Sequence, residues 1–266
     1  MGMKNGWLKY LLSTIGFIFI IYILQSKYFS LTEADRSILG NFIEWYGILL
    51  SVLLALLVVQ VWTKFTMINL LIDQEADALA SLLRFARFRK APGFFNKLLN
   101  EVIIYCKNNS SSNSTNSKSN KQYREQQEKI FEILLGAIEP DEKSCVSNEM
   151  IRVFDLSVDI RGDREALLKE RIHNSLWFLL IISSAIWILC FIWLSFQNIR
   201  WPLGAFMVFF STFTIGSLLF IAKDIDSPTG GVWKVSYASF NETVEEISSF
   251  KIIKNQKKGR KLKKVV

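Results

Sequence analysis

The sequence predicts an all-α protein in which four transmembrane helices carry a helical cytoplasmic domain. Two observations lead there. Half of the 266 residues are hydrophobic, and they gather into four windows almost free of charge: Trp7–Leu24, Ile43–Trp62, Asn174–Phe196 and Leu203–Ala222. Each is close to the roughly 20 residues an α-helix needs to cross about 30 Å of hydrocarbon. Between the second and third windows, apolar residues recur at helical rather than alternating spacing.

The elements follow in order. Residues 1–6 form a short N-terminal segment, and 7–24 are the first span. Lys4 and Lys9 resemble the basic region of a signal peptide, but no small-x-small site follows Leu24, so an uncleaved span is expected. The second span, 43–62, has two faces. Gly47, Ser51 and Ala55 recur every four residues, a small-residue seam that permits close helix contact. Roughly opposite lie Leu49, Leu53, Leu56, Gln60 and Lys64, an aliphatic row that turns polar toward one end. Around a symmetry axis this row would form a hydrophobic constriction opening into a hydrated vestibule. Against lipid it would be an ordinary apolar face.

Residues 63–173 form the cytoplasmic domain. The helix of the second span continues into it through Leu71, Ala78, Leu82 and Phe85, and Pro92-Gly93 ends that helix. An amphipathic helix over Phe94–Cys106 follows, then a disordered insert over 108–121, a run of Asn, Ser and Lys with no side chain able to build a core. A helix is expected again over Tyr123–Ile138; Met150–Ile160 carries enough apolar side chains to pack back on the earlier helices, and a charged helical segment, Asp163–His173, enters the third span, 174–196. The fourth span, 203–222, leads into a turn, Asp224 to Gly231, and a short amphipathic helix within 223–250.

Basic residues close to the spans set the orientation. Lys4, Lys9, Lys64, Arg164, Lys169, Arg171, Lys223 and Lys234 lie on one side, against Lys27, Arg36 and Arg200 on the other. Both termini are therefore expected in the cytoplasm, the chain being integral to the plasma (inner) membrane. The net charge of +8 has one source, the tail 251–266; the rest balances at 24 basic against 24 acidic residues. Lys257, Lys258, Arg260, Lys261, Lys263 and Lys264 in that tail are candidate contacts for anionic lipid. A solvated tail is the plainer alternative, and the lack of aromatics there argues against nucleic acid.

Signals for catalysis are scarce. His173 is the lone histidine, and the three cysteines, Cys106, Cys145 and Cys190, show no metal-ligand spacing. No Gly-rich phosphate loop or nucleophile elbow occurs, so neither an enzyme nor a cofactor is expected. Asp224 and Asp226 could contribute oxygen ligands to a cation, but two acids fall short of a calcium loop and fit a structural turn as well.

The order of short motifs resembles the bestrophin-homologue family. The residues that carry the likeness are Tyr46-Gly47 opening a span, Glu75-Ala76 with Leu79, Leu82 and Arg84, then Arg164 and Leu176-Trp177, and finally Asp224-Ile225-Asp226-Ser227-Pro228 with Gly230. The chain departs from that pattern at Thr229 and in the Asn/Ser run after Tyr105. The resemblance implies a ring-forming, homo-oligomeric protein that conducts ions, anions in particular, with the second span lining the axis; bestrophin channels are pentamers. The alternative is a non-conducting membrane scaffold that recruits partners or anionic lipid through its cytoplasmic helices and basic tail.

Overall fold

The computed structural model describes residues 32–89, 91–110, 117–136, 145–198, 201–227 and 232–248. The expected span 7–24 and the basic tail 251–266 lie outside them. The described elements are helices: α1 (Glu33–Phe88), α2 (Pro92–Ser110), α3 (Ser117–Leu135), α4 (Cys145–Lys169), α5 (Asn174–Asn198), α6 (Trp201–Asp226) and α7 (238–248). Among the described residues, three helices are long and apolar enough to cross a membrane: α1, Asn174–Ser195 within α5, and Leu203–Asp226 within α6.

The chain divides into two compact units. The first holds residues 1–63 and 171–227, and so the N-terminal part of α1 with α5 and α6. A capping box starts α1: the Thr32 hydroxyl accepts from the Asp35 amide at 3.2 Å, and the Asp35 carboxylate accepts from the Thr32 amide at 3.2 Å. Ile43, Leu50, Leu54, Leu57 and Val61 make a buried stripe at spacings of three, four and seven. The indole N–H of Trp187 on α5 donates to the Ile43 carbonyl at 3.1 Å. Gly47 leaves room for that indole, because a Cβ there would lie 2.8 Å from its nitrogen.

The α5–α6 hairpin is clasped at its open end. His173 precedes α5 and caps it, its Nδ1 accepting from the Ser175 amide at 3.3 Å. The Arg171 guanidinium donates to the Asp226 carbonyl and, at 3.2 Å, to the Ser227 hydroxyl, which satisfies acceptors left open at the end of α6. The outward faces of this unit are apolar: Phe178, Phe206 and Phe210 are 67, 64 and 61 % exposed. So extensive an apolar surface suits hydrocarbon rather than water.

The second unit holds residues 64–170 and 228–266. Ile68, Ile72, Leu79, Leu82 and Leu83 of α1 pack with Leu98, Leu99 and Val102 of α2, Ile130 and Leu134 of α3, Met150 and Phe154 of α4 and Phe240 of α7. Pro92 stands at the first position of α2, where its missing N–H costs nothing. Polar contacts fasten the C-terminal segment to α1: the Ser236 amide donates to Asn69 at 3.2 Å, the Ser239 hydroxyl to Asp73, and Arg84 pairs with Glu246 at 2.7 Å.

Several boundaries differ from the sequence reading. α1 begins ten residues before the expected Ile43, at Glu33. The apolar stretch Met150–Ile160 and the helical segment expected over Asp163–His173 share one helix, Cys145–Lys169, which ends four residues before His173. Asp224 and Asp226 belong to the last turn of α6 rather than to a loop. Both ends of the expected disordered insert are helical, because α2 runs through Ser110 and α3 starts at Ser117; residues 111–116 lie outside the described residues. Asn109 explains the first of these extensions: it is buried, and its amide donates to the Tyr105 carbonyl at 3.2 Å. A count of apolar residues cannot see a polar side chain that finds its partners inside.

Candidate functional site

The row expected to line a pore lies on the part of α1 that carries the apolar window. Successive residues turn by about 100°, so Leu49, Leu53, Leu56 and Gln60 fall on one strip of the helix, about 16 Å long. Leu49 and Leu56 are 56 and 61 % exposed in the single chain, and Gln60 is exposed as well. Leu53 is half-buried at the edge of that face. The buried stripe of Ile43, Leu50, Leu54, Leu57 and Val61 is centred roughly 100° away. Lys64 stands apart, with its ammonium donating to the Glu170 carbonyl just beyond the end of α4. Cations at that position favour the negative pole of a helix.

A second constellation was not anticipated. Within the other unit, thirteen residues beyond the apolar window, the Glu75 carboxylate is fully buried and pairs with the Arg164 guanidinium at 3.2 Å. The buried Tyr105 hydroxyl donates to the other Glu75 oxygen. Arg164 also donates to the Asn109 side chain at 3.4 Å, and Arg161, paired with Glu165 at 3.0 Å, lies 4.8 Å from the Tyr123 ring centroid. Two arginines thus face two glutamates, and the cluster is close to neutral. Burial pushes the Glu75 carboxyl up, and the Arg164 charge and the Tyr105 hydrogen bond pull it back. Burial pushes Tyr105 well above its ordinary value, with the Glu75 charge adding to it, so the phenol stays a donor. For Arg164, burial alone works downward, but its anionic neighbours, Glu75 first, hold it above its ordinary value. Such a cluster fixes α1, α2 and α4 in one register; it offers no nucleophile and no open position for a substrate.

The remaining candidates have structural partners. Asp226 is buried, and its carboxylate accepts from the Ile172 amide at 3.3 Å. Among the described residues, no group of three or more His, Cys, Asp or Glu could hold a metal ion. His173 is engaged in capping α5. The tail lysines and arginine, Lys257 to Lys264, fall outside the described residues. Glu75, Tyr105 and Arg164 did figure in the sequence as parts of short motifs or their edges, but nothing in a linear reading joins residues so far apart.

A family model described as a bestrophin-like domain matches residues 11–240. No match is found among curated proteins. Among solved structures, a bacterial bestrophin homologue from Klebsiella pneumoniae carrying a point substitution aligns with a TM-score of 0.72 at 13 % identity, covering 94 % of this chain and 98 % of that one. Another variant of that homologue aligns at 0.71 and 15 % identity, covering 93 % and 97 %. At such identities the likeness is one of fold.

Proposed function

The chain belongs to the bestrophin-like family, and from that premise we propose that it is an oligomeric, anion-conducting channel whose α1 helices surround a central axis. One observation carries the reading. Leu49 and Leu56 are exposed in the single chain, on a helix whose neighbouring face is packed and buried. A ring of such side chains, with Leu53 at its edge, is a constriction that resists wetting, and Gln60 continues it toward a polar vestibule. The basic residues beside the spans support cytoplasmic termini in the plasma (inner) membrane, with the tail against anionic headgroups.

The test is purified full-length protein in planar bilayers. Unitary currents whose reversal potential follows the anion gradient are expected. Leu53→Ala widens and wets the ring and raises conductance or open probability. Ile48→Ala, on an exposed position about 140° around the helix from Leu53, leaves both nearly unchanged. Electrical silence of the wild type and of Leu53→Ala, with both folded and oligomeric, overturns the proposal and leaves the scaffold as the better account.

A further inference from the structure

The hairpin of α5 and α6 borders an open cavity of about 610 Å³. That lies within the roughly 300–1,000 Å³ of small-molecule sites. Along α5 it extends from Trp177 to Ile188, about 16 Å at 1.5 Å per residue. The hydrocarbon of a bilayer is about 30 Å thick, so the cavity is one leaflet deep. Small side chains on facing helices, Ser184 and Ala185 against Gly216 and Ser217, open it.

Its polarity is graded. At one end the Lys223 ammonium stands 4.7 Å from the centroid of the Trp177 ring, held at the mouth by a cation–π contact. Trp177 and Ser184 are only 6 and 3 % exposed, and both residues line the cavity; among the described residues the indole N–H and the serine hydroxyl have no hydrogen-bond partner. Within hydrocarbon no water is at hand to satisfy such groups. Between Trp177 and Ser184 the wall is Ile181, Leu219 and Phe220, and beyond Ser184 it is Ile188 and Ile215. A cation and an indole at the mouth, with a mostly apolar channel behind them, match the order in which a phospholipid presents its phosphate and esters and then its acyl chain. No carboxylate lines the cavity among the described residues, so the charge it complements is negative.

We propose that this groove holds one acyl chain of an anionic phospholipid, with the headgroup at Lys223, the ester region against Trp177 and the acyl chain running past Ser184 toward Ile188. The inference rests on α5 and α6 crossing the bilayer, not on conduction, and it stands or falls apart from the channel reading. The test uses full-length protein in phosphatidylcholine nanodiscs doped with phosphatidylglycerol or phosphatidylcholine bearing a photoreactive group in the acyl chain. Peptides carrying Ser184–Ile188 are expected to be labelled about fivefold more by the anionic probe, the equivalent of about 1 kcal/mol for one basic residue near anionic lipid. Lys223→Gln should bring the two probes level. Ser184→Leu and, independently, Ala185→Leu fill the groove and should remove the excess, while labelling at the outward-facing Phe206 and Phe210 stays constant. Equal labelling by the two probes in the wild type, labelling that neither filling variant changes, or no labelling of these peptides overturns the proposal; the last outcome would mean that protein occupies the groove.

Discussion

Replacing Arg164 with methionine should open the second unit by about 3–5 kcal/mol, the usual consequence of removing one partner from a buried ion pair. The structure places this site at the severe end. Glu75 is fully buried, the Arg164 side chain is 5 % exposed, and after the substitution the carboxylate keeps the Tyr105 hydroxyl but loses its cation. Cys106 reports the opening. It is fully buried in the same core, and burial pushes its thiol up to about 12, so it reacts only when the core opens. In a background with Cys145→Ser and Cys190→Ala, the rate of Cys106 labelling by a thiol reagent follows the open population. Arg164→Met should raise that rate roughly 140- to 3,700-fold, given a factor of ten for each 1.4 kcal/mol. Adding Glu75→Gln leaves an amide oxygen for the Tyr105 hydroxyl and no unpaired charge. The double variant should therefore return to within about tenfold of the background rate, since neutral replacement of a buried pair costs little. A single variant within tenfold of the background, or a double variant as fast as the single one, would refute the reasoning.

Two further outcomes follow from the packing. Gly47→Ala places a methyl group 2.8 Å from the Trp187 indole nitrogen, so the indole must shift and release the Ile43 carbonyl; overpacking of this kind costs about 1–3 kcal/mol, read as a lower melting temperature and a red-shifted tryptophan emission. Asn109→Leu removes the amide that joins the Tyr105 carbonyl to Arg164; a loss of about 1–3 kcal/mol is expected, and unchanged thermal stability would return this residue to the insert predicted from composition.

The helical class and the three long apolar helices α1, α5 and α6 were legible because both rest on composition over long windows, which tertiary context hardly alters. Ile43–Trp62, Asn174–Phe196 and Leu203–Ala222 each fall within a helix of the structure, α1, α5 or α6. What composition could not give were the polar ends. Asn108 and Asn109 continue α2 because the chain that follows offers them partners: the Tyr123 hydroxyl donates to the Asn108 carbonyl at 2.9 Å, and Arg164 reaches the Asn109 side chain. The charged stretch around Asp163 was read as a separate helix because its apolar spacing fades. In the structure Arg161 and Arg164 take the inward positions there and are buried through ion pairs rather than hydrophobicity.

The candidate row on α1 was legible for a different reason, and its rotation was not. Between Ile43 and Trp62 the helix is apolar on every side, so periodicity cannot separate a face that packs on protein from one that meets lipid or a pore. Leu53 and Leu54 are equivalent in sequence, yet Leu54 is buried at 5 % exposure and Leu53 is only half-buried. Leu54→Ala is therefore a core deletion, costing about 2–5 kcal/mol, and cannot serve as a neutral comparison for Leu53→Ala. The one linear clue was the seam of Gly47, Ser51 and Ala55. Only its first member makes the predicted close approach, with Gly47 against Trp187, while Ser51 and Ala55 stay exposed and the Ser51 hydroxyl bonds back to the Gly47 carbonyl at 2.7 Å. That single contact, together with the hydrogen bond from Trp187 to Ile43, fixes how α1 is turned about its axis. With the stripe through Ile43, Leu50 and Leu54 buried, Leu49 and Leu56 face away from that packed side, toward whatever surrounds the helix there.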